Sequence, residues 1–247
     1  MTTRNPAILL LGPTGSGKTP LGQLIEDRGL WDAKCLHFDF GQQMRDAVQR
    51  NLPDRRFSAT DIAFLREVLD SGALLEDEHF PLARRILEGF LAERRAGPET
   101  CGEKGDSPHL CEAPFGPLRQ MGTVPFFPPC VVLNGLPRHV GQAQAVDAIV
   151  DVRVVIHLVC SSAVVQSRIR SNVGGDRTAR IDDDLEAIAR KLAIYAERTA
   201  PLVEYYRCRG VRIAALDVTA DMTPERMWET LTHAPRERRT ELPLRPE

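Results

Sequence analysis

Eight consecutive residues, Gly12-Pro13-Thr14-Gly15-Ser16-Gly17-Lys18-Thr19, follow the spacing G-x-x-x-x-G-K-[ST] without a gap. Glycines at these intervals let the backbone fold around an anion, so that successive N–H groups point into one concavity. The lysine brings a positive charge to the terminal phosphates of a nucleotide, and the hydroxyl of Thr19 is a ligand for magnesium. Gly12, Gly15, Ser16, Gly17, Lys18 and Thr19 are therefore candidate phosphate-binding residues. Such a loop works only between a strand and a helix N-terminus. The apolar run Ala7-Ile8-Leu9-Leu10-Leu11 before it reads as a buried strand, and Leu21-Gly22-Gln23-Leu24-Ile25-Glu26 after it continues as a helix. Pro20 fits the first helical turn, where no intrahelical N–H bond is required.

The elements that position this loop are legible as apolar runs. Ala7–Leu11, Lys34–Phe38, Cys130–Leu133, Arg153–Val159 and Val211–Leu216 read as strands, with helical segments between them. Strands alternating with helices imply a parallel sheet covered on both faces. The expected fold is α/β: a three-layer P-loop NTPase fold with a five-stranded parallel sheet. At 247 residues the chain suits one such domain, and 43% hydrophobic residues make it globular. A net charge of -2 argues against a dedicated nucleic-acid binder. No apolar run approaches the roughly 20 residues of a membrane span. The short N-terminal apolar run lacks a cleavage-site pattern, so it is not a signal peptide. Six cysteines without a regular framework suit a reducing cytosol.

More of the function is carried by Leu133-Asn134-Gly135-Leu136-Pro137-Arg138 and Gln142. These resemble the L-D-G-F-P-R…Q signature of the adenylate kinase and nucleoside monophosphate kinase family. Gly41-Gln42-Gln43-Met44-Arg45 is similar to that family's T-G-D-x-L-R segment. Ser71-Gly72-Ala73-Leu74-Leu75, followed by Asp77-Glu78, resembles its G-x-x-V-x-D-E element. Arg180-Ile181-Asp182-Asp183 resembles R-x-D-D, and Tyr195…Thr199-Ala200-Pro201-Leu202-Val203…Tyr205-Tyr206 resembles Y-x-x-x-T-x-P-L-x-x-Y-Y. The segments occur in the family order and cover most of the chain outside residues 96–129.

The resemblance implies transfer of the γ-phosphoryl group of ATP, with Mg2+, to a nucleoside monophosphate, AMP being the favoured acceptor. Two anionic substrates held nose to nose repel each other, so the site needs fixed cations. Arginine suits the task because its planar fork binds phosphate oxygens in pairs. By resemblance, Lys18, Arg138, Arg168, Arg180 and Lys191 are the catalytic cations, and Arg168 also belongs to the ATP site. Phe40, Gly41, Arg45, Gly135, Arg138, Gln142 and Arg180 form the acceptor site, with Gln142 reading an adenine edge. Thr19 holds the metal through the ATP phosphates. Arg177 is a further cation near the lid, and Tyr205 and Tyr206 read as packing residues. The implied organisation is one kinase domain over residues 1–247. It has an acceptor-binding helical lobe at 40–95, an irregular insert at 96–129 and a short lid at 168–182. The implied protein is a cytoplasmic monomer in nucleotide biosynthesis, without membrane or nucleic-acid partners.

Four departures from the family pattern matter. Asn134 and Gln42 replace aspartates that organise the metal, Phe40 replaces a threonine that helps select adenine, and Lys191 stands where arginine is usual, beside Arg190. Asp39, at the end of the second strand, is placed to compensate for the lost carboxylates. On this basis Asn134→Asp is expected to lower the magnesium requirement. Phe40 either stacks on the acceptor base or packs in the helical lobe. The departures also leave open a second reading: a nucleotide sensor or scaffold built on a degenerate kinase. In the insert, Cys101, His109 and Cys111, with Cys130 at its end, offer ligands for a structural zinc. The Gly- and Pro-rich composition there favours a surface loop with incidental cysteines. The charged tail from Pro235 is expected to fray.

Overall fold

Alternating side chains of β1 (Asn5–Leu11) point to opposite faces of a sheet, and each face has its own core. Ala7, Leu9 and Leu11 face one cluster; Ile8 and Leu10 face the other. A strand buried on both sides must be central. β1 lies between β3 (Cys130–Asn134) and β4 (Val150–Val159). β2 (Cys35–Asp39) and β5 (Arg212–Asp217) complete a five-stranded sheet in the order β2-β3-β1-β4-β5, with every pairing parallel. This computed structural model describes residues 4–50, 56–73, 75–96, 129–176 and 185–233. The architecture is the three-layer α/β P-loop fold, and all five expected strands are present with ends shifted by one to three residues.

Helix α1 (Lys18–Arg28) covers one face together with α9 (Pro224–His233). The indole of Trp228 donates to Gly29 O at 2.9 Å and that of Trp31 to Leu231 O at 3.0 Å, tying the two helices together. The other face carries α5 (Val140–Asp147), α8 (Pro201–Cys208) and a lobe of α2 (Phe40–Arg50), α3 (Ala59–Ser71) and α4 (Phe80–Ala96). Helix α3 starts in a capping box. Ser58 Oγ accepts from Asp61 N at 3.1 Å, and Asp61 Oδ2 accepts from Ser58 N at 2.9 Å. Lobe and sheet share one core, in which Phe90 of α4 meets Phe38 of β2 edge-on at 5.2 Å. Each large apolar side chain fully buried there stabilises by about 1.5–3 kcal/mol. Tyr205 and Tyr206 pack as expected, their hydroxyls donating to the Asp147 carboxylate at 3.0 and 3.2 Å. Helices α6 (Ser162–Ser171) and α7 (Leu185–Ile194) flank the segment expected to form the lid, of which residues 177–184 lie outside the described residues. A π-helical stretch, Tyr195–Thr199, joins α7 to α8.

Helix α1 approaches the sheet closely at Gly22, where a Cβ would lie 2.3 Å from His37 Nε2. The buried imidazole Nε2 has no hydrogen-bond partner there. Burial lowers the His37 pKa from its ordinary 6.5, with the Asp39 charge opposing. The folded state thus binds this proton more weakly than the unfolded chain. Stability is full above the unfolded pKa and is lost as pH falls below it towards the depressed folded value. The urea midpoint is expected to be lower near pH ~5.5 than near pH ~7.5, and His37→Leu is expected to shrink the difference. An undiminished difference in that variant would assign the effect to His157, whose pKa burial and then Arg207 also lower.

Candidate functional site

Lys18 begins α1, so the preceding loop ends at a helix N-terminus, whose first N–H groups have no acceptor within the helix. Gly17 caps the helix with φ 96°, a left-handed conformation that side chains resist. A Cβ there would also come within 3.0 Å of Arg168 Nη2 and 3.1 Å of Met227 Cε. Lys18 Nζ folds back onto its loop and donates to Gly12 O at 2.7 Å and Pro13 O at 2.8 Å. Ser16 is fully buried, its hydroxyl unpartnered, and it serves the loop through its backbone. The loop lines a cleft of about 270 Å3.

Beside it, three side chains from three elements converge. Thr19 Oγ1 donates to Asp39 Oδ2 at 2.7 Å. Asn134 Nδ2 donates both to Asp39 Oδ2 at 2.8 Å and to Thr19 Oγ1 at 3.0 Å. Asp39 and Asn134 are register partners at the ends of β2 and β3. Burial works to raise the Asp39 pKa, but hydrogen bonds from Thr19 and the Gln42 backbone, with the charges of His37 and Arg45, outweigh it. They hold the carboxyl below its usual range, so it is ionised. A carboxylate and a hydroxyl offer oxygen to a hard cation. Among the described residues no group of three or more His, Cys, Asp or Glu side chains is arranged to hold a metal. Cys101, His109 and Cys111 lie outside those residues.

The same cleft is lined by Gly41, Met44 and Arg45 of α2 and by Val68 and Leu69 of α3. Gly135, Pro137 and Arg138 after β3 close it. Gln42 accepts from Arg45 Nε at 3.2 Å and Nη2 at 2.8 Å and so aims that guanidinium. Arg138 is partly buried; its Nε donates to Gly135 O at 3.1 Å and its carbonyl accepts from Thr199 Oγ1 at 2.8 Å. Burial lowers its pKa while Asp39 opposes, and the group remains a cation. Lys191, Ile194, Tyr195 and Thr199 also line the cleft. Tyr195 and Thr199, four residues apart on one helical face, both line the cleft, and Tyr195 Oη lies 3.0 Å from His157 Nε2. Burial, then Cys160, pushes the Tyr195 pKa up to about 12. Tyr195 and Thr199 stood in a recognisable sequence segment, but only the packing of that helix shows that they line the cleft.

Lys18, Thr19, Gly41, Arg45, Gly135, Arg138 and Lys191 therefore meet at one cleft. Four expected site residues do not line it: the buried Ser16, Phe40, Arg168 and Gln142. Phe40 is 2% exposed and packs against Phe38 at 6.2 Å between ring centroids, so it belongs to the core and not to a base-stacking surface. Arg168 is 2% exposed. Its Nε donates to Gly15 O at 3.1 Å and its Nη1 to Thr219 O at 2.8 Å and Met222 O at 2.6 Å. It rivets the phosphate loop to the turn after β5 and does not reach over the cleft, because three carbonyls hold its guanidinium. Gln142 is 1% exposed, its amide engaged by Leu75 and Arg138. Arg177, Arg180, Asp182 and Asp183 lie outside the described residues. No described helix is long and apolar enough to cross a membrane.

No protein-family profile matches the chain. Among curated proteins it resembles adenylate kinases over most of its length. The adenylate kinase of Sinorhizobium medicae is 28% identical over 226 residues, covering 87% of this chain and 93% of that protein. That of Deinococcus deserti is 28% identical over 219 residues, covering 84% and 87%. That of Parvibaculum lavamentivorans is 26% identical over 214 residues, covering 82% and 80%. Among solved structures, a gluconokinase from Sinorhizobium meliloti 1021 aligns with a TM-score of 0.48 and 14% identity, over 94% of this chain and 91% of that one.

Proposed function

We propose that the chain is a nucleoside monophosphate kinase that transfers the γ-phosphoryl group of ATP to AMP. The observation that carries this reading is that a phosphate loop and two arginines, Arg45 and Arg138, line a single cleft. The likeness to adenylate kinases over more than four-fifths of the chain supports a phosphotransferase of this kind. Backbone N–H groups of residues 12–17 and the N-terminus of α1 hold the ATP phosphates. Lys18 releases its two carbonyls and neutralises charge on the terminal phosphates. Arg45, aimed by Gln42, and Arg138, braced on Gly135, grip the acceptor phosphate. Lys191 adds a cation from α7, and Arg180 is expected to add another from the lid. One acceptor phosphate oxygen attacks the γ-phosphorus in line; the bond to the β-phosphate oxygen breaks, giving ADP and a nucleoside diphosphate. No enzyme nucleophile is needed, because positioning and charge stabilisation suffice.

Thr19 and Asp39 are the oxygen ligands fitted to Mg2+ bound with ATP, directly or through water, and Asn134 orients both. When bound, the ion neutralises phosphate charge. The presence of Asp39 favours a working kinase over a degenerate sensor, since the carboxylate absent at position 134 is supplied one strand away. A cytoplasmic monomer in nucleotide biosynthesis goes with this reading.

A coupled assay with ATP and a panel of nucleoside monophosphates tests it. AMP is expected to be phosphorylated, and an analogue joining two adenosines through phosphates to bind more tightly than ATP. Arg138→Ala is expected to raise the acceptor KM about tenfold or more, the loss of a charge-assisted phosphate contact, with little change in ATP affinity. No turnover with any monophosphate, and an analogue no tighter than ATP, would sink the proposal.

A further inference from the structure

In the family this chain resembles, the glutamine corresponding to Gln142 reads the acceptor base. Here its side chain is committed elsewhere. Gln142 lies in the first turn of α5 and is 1% exposed. Its Nε2 donates to Leu75 O at 2.6 Å, and its Oε1 accepts from the backbone N–H of Arg138 at 2.9 Å. Leu75 is 3% exposed and belongs to the segment that leads from α3 to α4. His139 Nε2 lies 3.4 Å from the same carbonyl, and its Nδ1 lies 3.5 Å from Asp77 Oδ1. The neighbouring Glu76 is held by both Nη atoms of Arg198 at 2.7 and 2.8 Å. One amide thus spans two walls of the acceptor half: the segment after α3 and the main chain of the arginine that grips phosphate.

We propose that Gln142 is a positioning residue that fixes the Leu75 segment to the Arg138 backbone and takes no part in reading the acceptor base. Both of its anchors are main-chain groups, the Leu75 carbonyl buried and the Arg138 N–H part-buried. A buried carbonyl or N–H left unpaired is costly, so the bridge resists exchange for a base edge. Its loss lets the acceptor wall and the Arg138 main chain drift apart, a fault common to every monophosphate. Recognition of the base then falls to the apolar wall of Met44, Val68 and Leu69 and to backbone groups.

The inference rests on the nucleoside monophosphate reading, and editing ligand and protein together separates the two. Binding of AMP and of purine riboside 5′-monophosphate, which lacks the 6-amino group, is measured by calorimetry. The proteins are the wild type, Gln142→Met and Gln142→Glu. Amide hydrogen exchange of Arg138 is followed in the same proteins without nucleotide. Gln142→Met removes both bonds. Gln142→Glu keeps an acceptor for Arg138 and loses the donor to Leu75. The expected result is that Gln142→Met weakens both ligands by the same factor, roughly tenfold for the loss of one bridge. The Arg138 amide should lose protection in Gln142→Met and retain it in Gln142→Glu. Weakening confined to AMP, with Arg138 protection intact, overturns the proposal and restores base reading. If the wild type binds neither monophosphate, the acceptor reading falls, and the exchange data alone decide whether Gln142 positions Arg138.

Discussion

Lys18→Ala is expected to reduce phosphoryl transfer about a thousandfold, in line with the loss of one preorganised charge at the transferring group. In the structure the ammonium bonds Gly12 O and Pro13 O, so the substitution also removes a brace from the loop. Two consequences must therefore be separated. A loss of charge at the transition state lowers the rate while stability hardly changes, because the partners removed are carbonyls on a part-buried loop open to water. A collapse of the loop instead lowers the urea midpoint and the affinity for ADP and ATP alike. Single-turnover rates with saturating nucleotide, alongside denaturation curves, make the distinction. A rate within about tenfold of wild type would remove Lys18 from the chemistry. Lys18→Arg is not expected to rescue. Its larger fork would have to fit a loop where Gly12 O and Pro13 O already enclose the smaller ammonium.

The second large effect concerns the Thr19, Asp39 and Asn134 cluster. Asp39→Asn is expected to lower the rate about a hundredfold and to raise the magnesium concentration for half-maximal rate, since carboxylate is the charged ligand available to the ion. The structure reverses the sequence expectation for Asn134→Asp. Asn134 Nδ2 donates to Asp39 Oδ2 at 2.8 Å and to Thr19 Oγ1 at 3.0 Å. A carboxylate there would replace a donor with a like charge facing Asp39. The like charge would raise the pKa of one of the pair. Asn134→Asp alone is thus expected to lower activity and not to improve metal use. The exchange Asp39→Asn with Asn134→Asp restores one carboxylate and one amide on neighbouring strands. It is expected to recover a large part of the loss, giving a strong coupling in a double-mutant cycle. Independent, additive losses would show that the two residues do not share a metal site.

The sequence by itself determined what depends on neighbours along the chain. The phosphate loop needs a strand, glycines at fixed intervals and a helix start, all within residues 7–28, and each was legible before the fold was known. The five strands were legible for the same reason, as apolar runs; only their ends differed. Arg45 and Arg138 were found through short motifs beside strand ends, where the chain direction aims side chains at the cleft. The tertiary structure decided the rest. Asp39 and Asn134 are 95 positions apart, and their contact exists because β2 pairs with β3 in parallel register. Phe40 and Gly41 are adjacent, yet one enters the core and the other lines the cleft, because α2 turns a single face to the sheet. Arg168 is a cation in a helix near the loop, but three carbonyls from two distant turns enclose it. Gln142 has the residue type for base reading, yet the segment after α3 and the Arg138 backbone claim both ends of its amide. Residue type fixes what a side chain can donate or accept. Which partner takes it is set by the packing of segments far apart in sequence, because a buried polar group must be satisfied by whatever the fold brings to it.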